Sequence, residues 1–171
     1  MKVSIYMAQS ANGYIADKND EMAFVSNARS ERYHEMVART GNLVIGSATY
    51  EIMAMQNEFE KLPADLKVII VSNYIHSTIS PHHTIVGTPG EAYDLCEKSE
   101  FSEMLVGGGA HLNGSFLAEG TVDEIYLDVM PVLLSDGVPL FVHDLPPIKL
   151  ELLETIPVSE SEVQLHYKVL K

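Results

Sequence analysis

The sequence predicts an α/β fold, and three observations carry that prediction. Apolar runs of strand length alternate with stretches of helical spacing through about two thirds of the chain, after which the pattern becomes mostly strand. The run Met104-Leu105-Val106 breaks into Gly107-Gly108-Gly109 and resumes at helical spacing with Ala110, Leu112, Phe116 and Leu117, so it reads as strand, tight turn and helix. Two late segments, Leu150 to Ile156 and Glu162 to Leu170, flank Pro157-Val158-Ser159 and read as an antiparallel hairpin. The expected architecture is an α/β sheet extended at one edge by antiparallel strands.

Residues 2–8 alternate Val3, Ile5 and Met7 with Ser4, Tyr6 and Ala8 and form the first strand. Gln9 to Gly13 breaks it, Tyr14-Ile15-Ala16 is a short apolar return, and Asp17-Lys18-Asn19-Asp20-Glu21 is a polar loop. Ser26 or Asn27 caps a helix running to about Arg39, with Gly41 as its stop. Leu43-Val44-Ile45 is a buried strand ending at Gly46, and Ser47 or Thr49 starts the next helix. Leu66 to Val71 is a third strand closed by Ser72-Asn73, and Thr84-Ile85-Val86 is a fourth. Thr88-Pro89-Gly90-Glu91 is a capping box with proline at the first helical position, so a helix spans Pro89 to about Lys98. The helix after the glycines closes near Gly120, and Val122 to Val129 alternates as a strand with one solvated face. Pro131 and Pro139 bracket a loop.

A length of 171 residues fits one domain spanning 1–171, and 46% hydrophobic with 20% charged residues is ordinary globular composition. The net charge of −13 with only 11 unclustered Lys and Arg repels nucleic acid and anionic lipid, so no nucleic-acid and no membrane partner is expected. No apolar stretch reaches the ~20 residues of a membrane helix, and the single Cys96 has no disulfide partner; a cytoplasmic protein with a buried thiol is the expectation. His34-Glu35 lacks the second histidine of a zinc-protease helix, and the adjacent His82 and His83 point to opposite faces of an extended chain, so no metal site is expected. Asp123, Glu124 and Asp128 read as a solvated strand face.

The glycine turn carries the chemistry. Glycines permit positive φ and close backbone approach, and a helix start offers free N–H groups to an anion, so a phosphate or pyrophosphate is the natural guest. The dinucleotide fingerprint G-x-G-x-x-G is incomplete, because Leu112 stands where the third glycine belongs; a Rossmann unit is the weaker reading. Gly108→Val is expected to block nucleotide binding and leave the fold intact.

Four stretches in register carry a resemblance: Ala8 to Ala16, Val44 to Glu51, Val106-Gly107-Gly108-Gly109 with its helix, and Val122 to Gly137. The chain resembles the dihydrofolate reductase-like family, in the branch of the reductase domain of the riboflavin-biosynthesis deaminase-reductase and its stand-alone relatives. That resemblance implies a mixed, mostly parallel sheet of about eight strands flanked by helices, with the cofactor across the carboxyl ends of the strands. It implies hydride transfer from NADPH, with NADH as an alternative, to a small heterocyclic or carbonyl substrate. It also implies a homodimer, and the apolar, proline-rich segment Met130 to Pro147 is the surface expected to be buried in it. By the same resemblance Val106, Gly107, Gly108, Gly109, Ala110, His111 and Leu112 contact the pyrophosphate, and Gly46, Ser47, Ala48 and Thr49 hold the other phosphate side. Ser72 and Asn73 lie by the adenosine ribose, Ala8 and Ile15 line the nicotinamide pocket, and the substrate sits between Asn12, Phe24, Tyr33 and Tyr50.

The departures from the family pattern bear on function. Relatives place Arg or Lys after the glycine at 46, where this chain has Ser47, and no Arg follows Arg39. Lys61, Lys67 and Lys98 are the only cations between residues 40 and 148, so a 2′-phosphate and a phosphorylated substrate lack their charged partner. The acidic residue of the first loop is Asn12 here, the one candidate catalytic residue, and an amide does not donate a proton as a carboxylic acid does. The alternative reading is a non-catalytic nucleotide-binding or regulatory dimer that kept the fold.

Overall fold

The computed structural model describes every residue of 1–171 except Asp20 and His143, so the expected loop Asp17 to Glu21 lies partly outside the described residues. The element order is β1 (Lys2–Ser10), β2 (Tyr14–Asp17), α1 (Asn27–Thr40), β3 (Asn42–Gly46), α2 (Ser47–Met55), a one-turn 3₁₀ helix (Glu58–Lys61), β4 (Lys67–Val71), β5 (His83–Val86), α3 (Pro89–Lys98), β6 (Glu103–Val106), α4 (Ala110–Ala118), β7 (Glu124–Met130), β8 (Gly137–Pro139), β9 (Lys149–Pro157) and β10 (Val163–Leu170). Eight strands form one sheet in the order β5-β4-β3-β6-β1-β7-β10-β9. The first six are mutually parallel, and β10 runs antiparallel to both β7 and β9. The mostly parallel sheet with an antiparallel hairpin at one edge is the architecture expected from the sequence.

Two differences have local causes. β1 continues to Ser10 because its register with β7 runs on to Ser10↔Met130, so Gln9-Ser10 is strand rather than break. The loop between Pro131 and Pro139 contains β8, which pairs with β2 as a separate two-stranded sheet; three residues with one apolar side chain carry no readable period.

Alternation assigns the two faces. Val3, Ile5, Val44, Ile69, Met104 and Val106 pack with Ala92 and Cys96 of α3 and with Phe116 and Leu117 of α4. Tyr6, Leu43, Ile45, Val68, Ile70 and Leu105 pack with Met36 and Val37 of α1 and with Tyr50 and Met53 of α2. Cys96 is fully buried, as expected, and burial pushes its thiol up to about 12, which leaves it protonated and unreactive. Ser26 caps α1 by accepting the Arg29 N–H, and Gly41 ends it at φ 69, a left-handed conformation.

Asp128 corrects one sequence expectation: it is fully buried rather than on a solvated face. Its carboxylate lies 3.3 Å from Arg29 Nε and accepts a 2.7 Å hydrogen bond from Gln164 Nε2, which also donates to the Tyr6 hydroxyl. The Arg29 guanidinium covers the rings of Tyr6 and Tyr33, at 5.3 and 4.7 Å. Strand alternation alone cannot separate a solvated acid from one whose partner arrives from a helix a hundred residues away. Removing one member of a buried pair strands the other charge, at a cost of about 3–5 kcal/mol. Asp128→Asn is therefore expected to lower stability by about that amount, read from denaturant unfolding, while Asp136→Asn in the exposed β7–β8 loop changes it by less than about 0.5 kcal/mol.

Candidate functional site

From β3 the chain proceeds outward to β4 and β5; α3 then returns it to β6, between β3 and β1, and α4 carries it to β7 on the other side. The winding direction therefore reverses between β3 and β6. Their helices leave toward opposite faces, which opens a crevice at the carboxyl ends of the strands, where ligands bind in open α/β sheets. The two turns are joined directly. The Gly46 N–H donates to the Gly108 carbonyl at 2.8 Å, and the Gly107 N–H donates to the Val44 carbonyl at 2.8 Å.

Both helices that begin here start on glycine, Gly46 for α2 and Gly109 for α4, and neither has a side-chain cap. The other two α-helices are capped, α1 by Ser26 and α3 by Thr88, which accepts the Glu91 N–H. Two uncapped helix starts side by side put two positive dipole ends and their first-turn amides at one crevice, an arrangement suited to a phosphate or pyrophosphate. Ser47, Ala48 and Thr49 form one first turn and Ala110, His111 and Leu112 the other. Thr49 joins them: a Cβ on Gly109 would lie 3.3 Å from the Thr49 hydroxyl oxygen.

The three glycines are not equivalent. A Cβ on Gly107 would come within 2.8 Å of Leu43 and 3.2 Å of Ile45 and the Tyr33 hydroxyl, so this glycine serves core packing. Gly108 has φ 88, and its Cβ would sit 2.8 Å from Met7 Sδ, so Gly108→Val strains the turn itself and is not the clean probe expected from sequence. The Gly108–Gly109 peptide is cis. Gly46 is the position whose Cβ meets nothing closer than 3.8 Å, at an ordinary φ of −81, so a methyl fits there and projects toward the Gly108 and Gly109 backbone.

The flanks of the crevice follow from register. β1 pairs with β6 only as far as Ile5↔Val106, so Tyr6 to Ser10, including Ala8, run past the end of β6 with no strand on that side. Ile15 is buried and belongs to the same core cluster as Met7, Val106 and Leu112. On the other flank the Ser72 hydroxyl accepts from the Tyr74 and Ile75 amides and so shapes the turn after β4, leaving Asn73 exposed. Tyr74, which the sequence reading passed over, is 84% exposed beside Asn73, where an aromatic ring can stack on a base. Asn113 was also missed: it is fully buried, its Nδ2 donates to the Leu140 carbonyl, and its Oδ1 has no protein partner. Leaving a buried acceptor unpaired costs about 1–3 kcal/mol, and Asn113 Nδ2 lies 3.7 Å from where a Gly108 side chain would begin.

Of the four residues expected around a substrate, Tyr50 is set apart from β1. Asn12 is tied down: its Nδ2 donates to the Leu134 carbonyl at 2.7 Å, while its Oδ1 accepts from the Leu134 N–H and the Ser10 hydroxyl. This amide pair needs a donor and an acceptor on one side chain, so Asn12 acts here as a clamp between loops and not as a proton donor. Phe24 is half-buried in the β2–α1 connection. Tyr33 lies under Gly107 against Tyr6 and Arg29, with burial pushing its hydroxyl up to about 12. Tyr50 belongs elsewhere. Its hydroxyl accepts from the Ile79 N–H and lies 3.1 Å from His83 Nδ1 on β5, four strands from β1 or roughly 19 Å away.

Cavities of about 290 Å³, lined by Phe59, Leu66, Val68 and His83 among others, and 330 Å³, around Asp123 and Lys168, both lie at the amino ends of the strands. Neither lies at the carboxyl ends of β3 and β6, where ligands bind across open α/β sheets. The three lysines between residues 40 and 148 do not reach the crevice there. Lys61 is paired with Glu58, Lys67 begins β4 and Lys98 ends α3, and all three positions belong to the opposite, amino edge. Among the described residues no group of His, Cys, Asp and Glu is placed to hold a metal ion, and no helix is long and apolar enough to cross a membrane.

The eight-stranded, mostly parallel sheet with its antiparallel edge hairpin is a dihydrofolate reductase-like α/β fold. The family model described as the RibD C-terminal domain matches residues 65–163, and the chain belongs to that family. It is 28% identical to YwjB of Bacillus subtilis over 171 residues, covering 97% of both chains, and 22% identical to YyaP of the same organism, covering 97% of this chain and 94% of that one. Among solved structures it is similar to a pyrimidine reductase-like protein of Corynebacterium diphtheriae, with TM-score 0.76 and 14% identity over 99% of this chain and 92% of that one. It is also similar to RibD of Acinetobacter baumannii, with TM-score 0.75 and 17% identity, where it covers 99% of itself but 58% of the larger protein.

Gly46→Ala is expected to cost less than about 1 kcal/mol in thermal unfolding, as a helix-cap change does. It is expected to weaken nucleotide binding at least about tenfold in a calorimetric titration with NADPH, because the methyl enters the space between the two turns. Unchanged affinity would remove the crevice from the site.

Proposed function

We propose that this chain is a nicotinamide-dependent reductase that delivers hydride to a small heterocyclic or carbonyl substrate, with riboflavin-type pyrimidines as the first class to test. The observation that carries the reading is the pair of uncapped helix starts, α2 and α4, joined by the Gly46–Gly108 hydrogen bond in a member of the RibD C-terminal domain family. The first-turn amides of α2 and α4 and the Thr49 hydroxyl would hold the phosphates. Asn73 and Tyr74 would take the adenosine end. Ala8 and Ile15 would receive the nicotinamide end, with the unpaired side of β1 presenting main-chain groups and the buried Ile15 excluding water. Reduced nicotinamide supplies the hydride when bound; the protein contributes position and a dry surface rather than a nucleophile.

The clamped Asn12 favours a second reading, nucleotide binding without turnover, because an amide stands at the position where the family's first-loop acid would donate a proton. Oxidation of NADPH and NADH in the presence of pteridines and ribosyl-pyrimidines separates the two. Turnover of any member supports the reductase, and tight cofactor binding with no turnover supports the second reading.

Cofactor preference follows from charge. A charged hydrogen bond to a 2′-phosphate is worth about 1.5–3 kcal/mol, and Ser47 stands where a cation would supply it. The expected ratio of NADPH to NADH dissociation constants lies within about tenfold, and Ser47→Arg is expected to raise NADPH preference by about tenfold or more. Calorimetry on both proteins with both cofactors measures this. A wild-type preference for NADPH above about a hundredfold would contradict this account of the pocket.

A further inference from the structure

The cavity of about 290 Å³ at the amino ends of β4 and β5 lies on the opposite edge of the sheet from the two glycine turns and owes nothing to the reading proposed for them. Phe59, Leu62, Leu66, Val68 and Ile79 supply apolar walls, with His83 set among them. Leu62, Leu66 and Val68 are buried, whereas Ile79 is 65% exposed, an apolar side chain left in water beside an apolar hollow. A hydrogen-bond relay fixes what His83 offers there. The buried Tyr50 hydroxyl accepts the Ile79 N–H at 2.9 Å and lies 3.1 Å from His83 Nδ1. Among the described residues that hydroxyl meets no other acceptor, so its proton goes to Nδ1. Burial and the adjacent His82 hold the imidazole below the ordinary histidine value, which keeps it neutral at neutral pH. A neutral ring that accepts at Nδ1 carries its hydrogen on Nε2. Among the described residues this Nε2–H has no acceptor.

We propose that this cavity is a second small-molecule site, taking an uncharged aromatic compound of one or two rings that bears a carbonyl acceptor for the His83 Nε2–H. Size sets the number of rings. An apolar cavity of about 150 Å³ takes one benzene ring, so a cavity of about 290 Å³ admits a substituted or fused one. The walls favour an aromatic guest, because Phe59 already packs against Tyr50 and His83 with ring centroids 5.3 and 4.8 Å apart, and a further ring extends that cluster. Charge is disfavoured in both signs. Glu60 lies on the same wall and the chain carries −13, so a carboxylate is repelled. An ammonium group has no acceptor to offer the Nε2–H.

NMR on the full chain, labelled in its histidine rings and methyl groups, tests this in two steps. Without any ligand, the His83 ring nitrogens at neutral pH are expected to show the tautomer protonated at Nε2. Acetanilide, an uncharged ring with one carbonyl, is then the probe, and it is expected to give saturable shifts at the Ile79 and Leu66 methyls and at His83 with a dissociation constant of about 1 mM or lower. Phenylacetate and phenethylamine, of similar size but charged, are expected to bind at least about tenfold more weakly. Ile79→Ser keeps the backbone N–H that meets Tyr50 and alters only an exposed side chain. It is expected to weaken acetanilide at least about threefold with an unchanged far-ultraviolet spectrum. A His83 ring protonated at Nδ1, no saturation by about 10 mM acetanilide, shifts confined to Ala8 and Ile15, equal binding of either charged probe, or unchanged affinity in Ile79→Ser would each overturn the proposal.

Discussion

The hydrogen bond from the Gly46 amide to the Gly108 carbonyl holds two strand-to-helix turns against each other at the point where the chain reverses its winding. Much of the candidate site depends on that contact. Because β3 and β6 are neighbours, their helices begin within a few ångströms and then diverge to opposite faces. The contact requires both turns to be nearly bare of side chains: Gly107 makes room for Leu43, Ile45 and Tyr33, and Gly108 supplies a positive φ above Met7. Two dipole ends left without side-chain caps are the electrostatic consequence.

The same economy appears in the polar groups around the crevice. Asn12, Ser72 and Asn113 each make main-chain hydrogen bonds that position loops, and only Asn113 keeps a buried acceptor unpaired. Beneath them Asp128, Arg29, Gln164 and Tyr6 form a buried polar layer between α1 and the sheet, which seats Tyr33 under the glycine turn. The chain thus builds a floor from polar contacts in which the Arg29 guanidinium is already paired with Asp128, so the helix amides are the groups left to meet a ligand anion at the two turns.

Local signals carried the fold. The spacing of Ser26 and Gly41 around α1, the Thr88 to Glu91 pattern at α3 and the alternation of β7 all have a cause within a few residues of the effect, so they were legible. β8 was not, because its pairing with β2 is set by a partner about 120 residues away and its three residues carry no period. The buried state of Asp128 and the separation of Tyr50 from Asn12 were hidden for the same reason: each depends on which strands become neighbours. Glycine runs showed where a turn lies but not which glycine serves packing, conformation or open space. Tyr74 was findable, as an aromatic directly after a strand end at the carboxyl edge; the orphaned oxygen of Asn113 was not, since it depends on Leu140 meeting α4.

The central claim is that the first turns of α2 and α4 together hold the phosphates of one nicotinamide dinucleotide. Backbone amide resonances followed by NMR during titration with NADPH address it directly. Saturable shifts at Ser47 to Thr49 and at Ala110 to Leu112 with a common dissociation constant are expected. Saturable binding that shifts only one of the two turns, or only the residues around Tyr50 and His83, would contradict it.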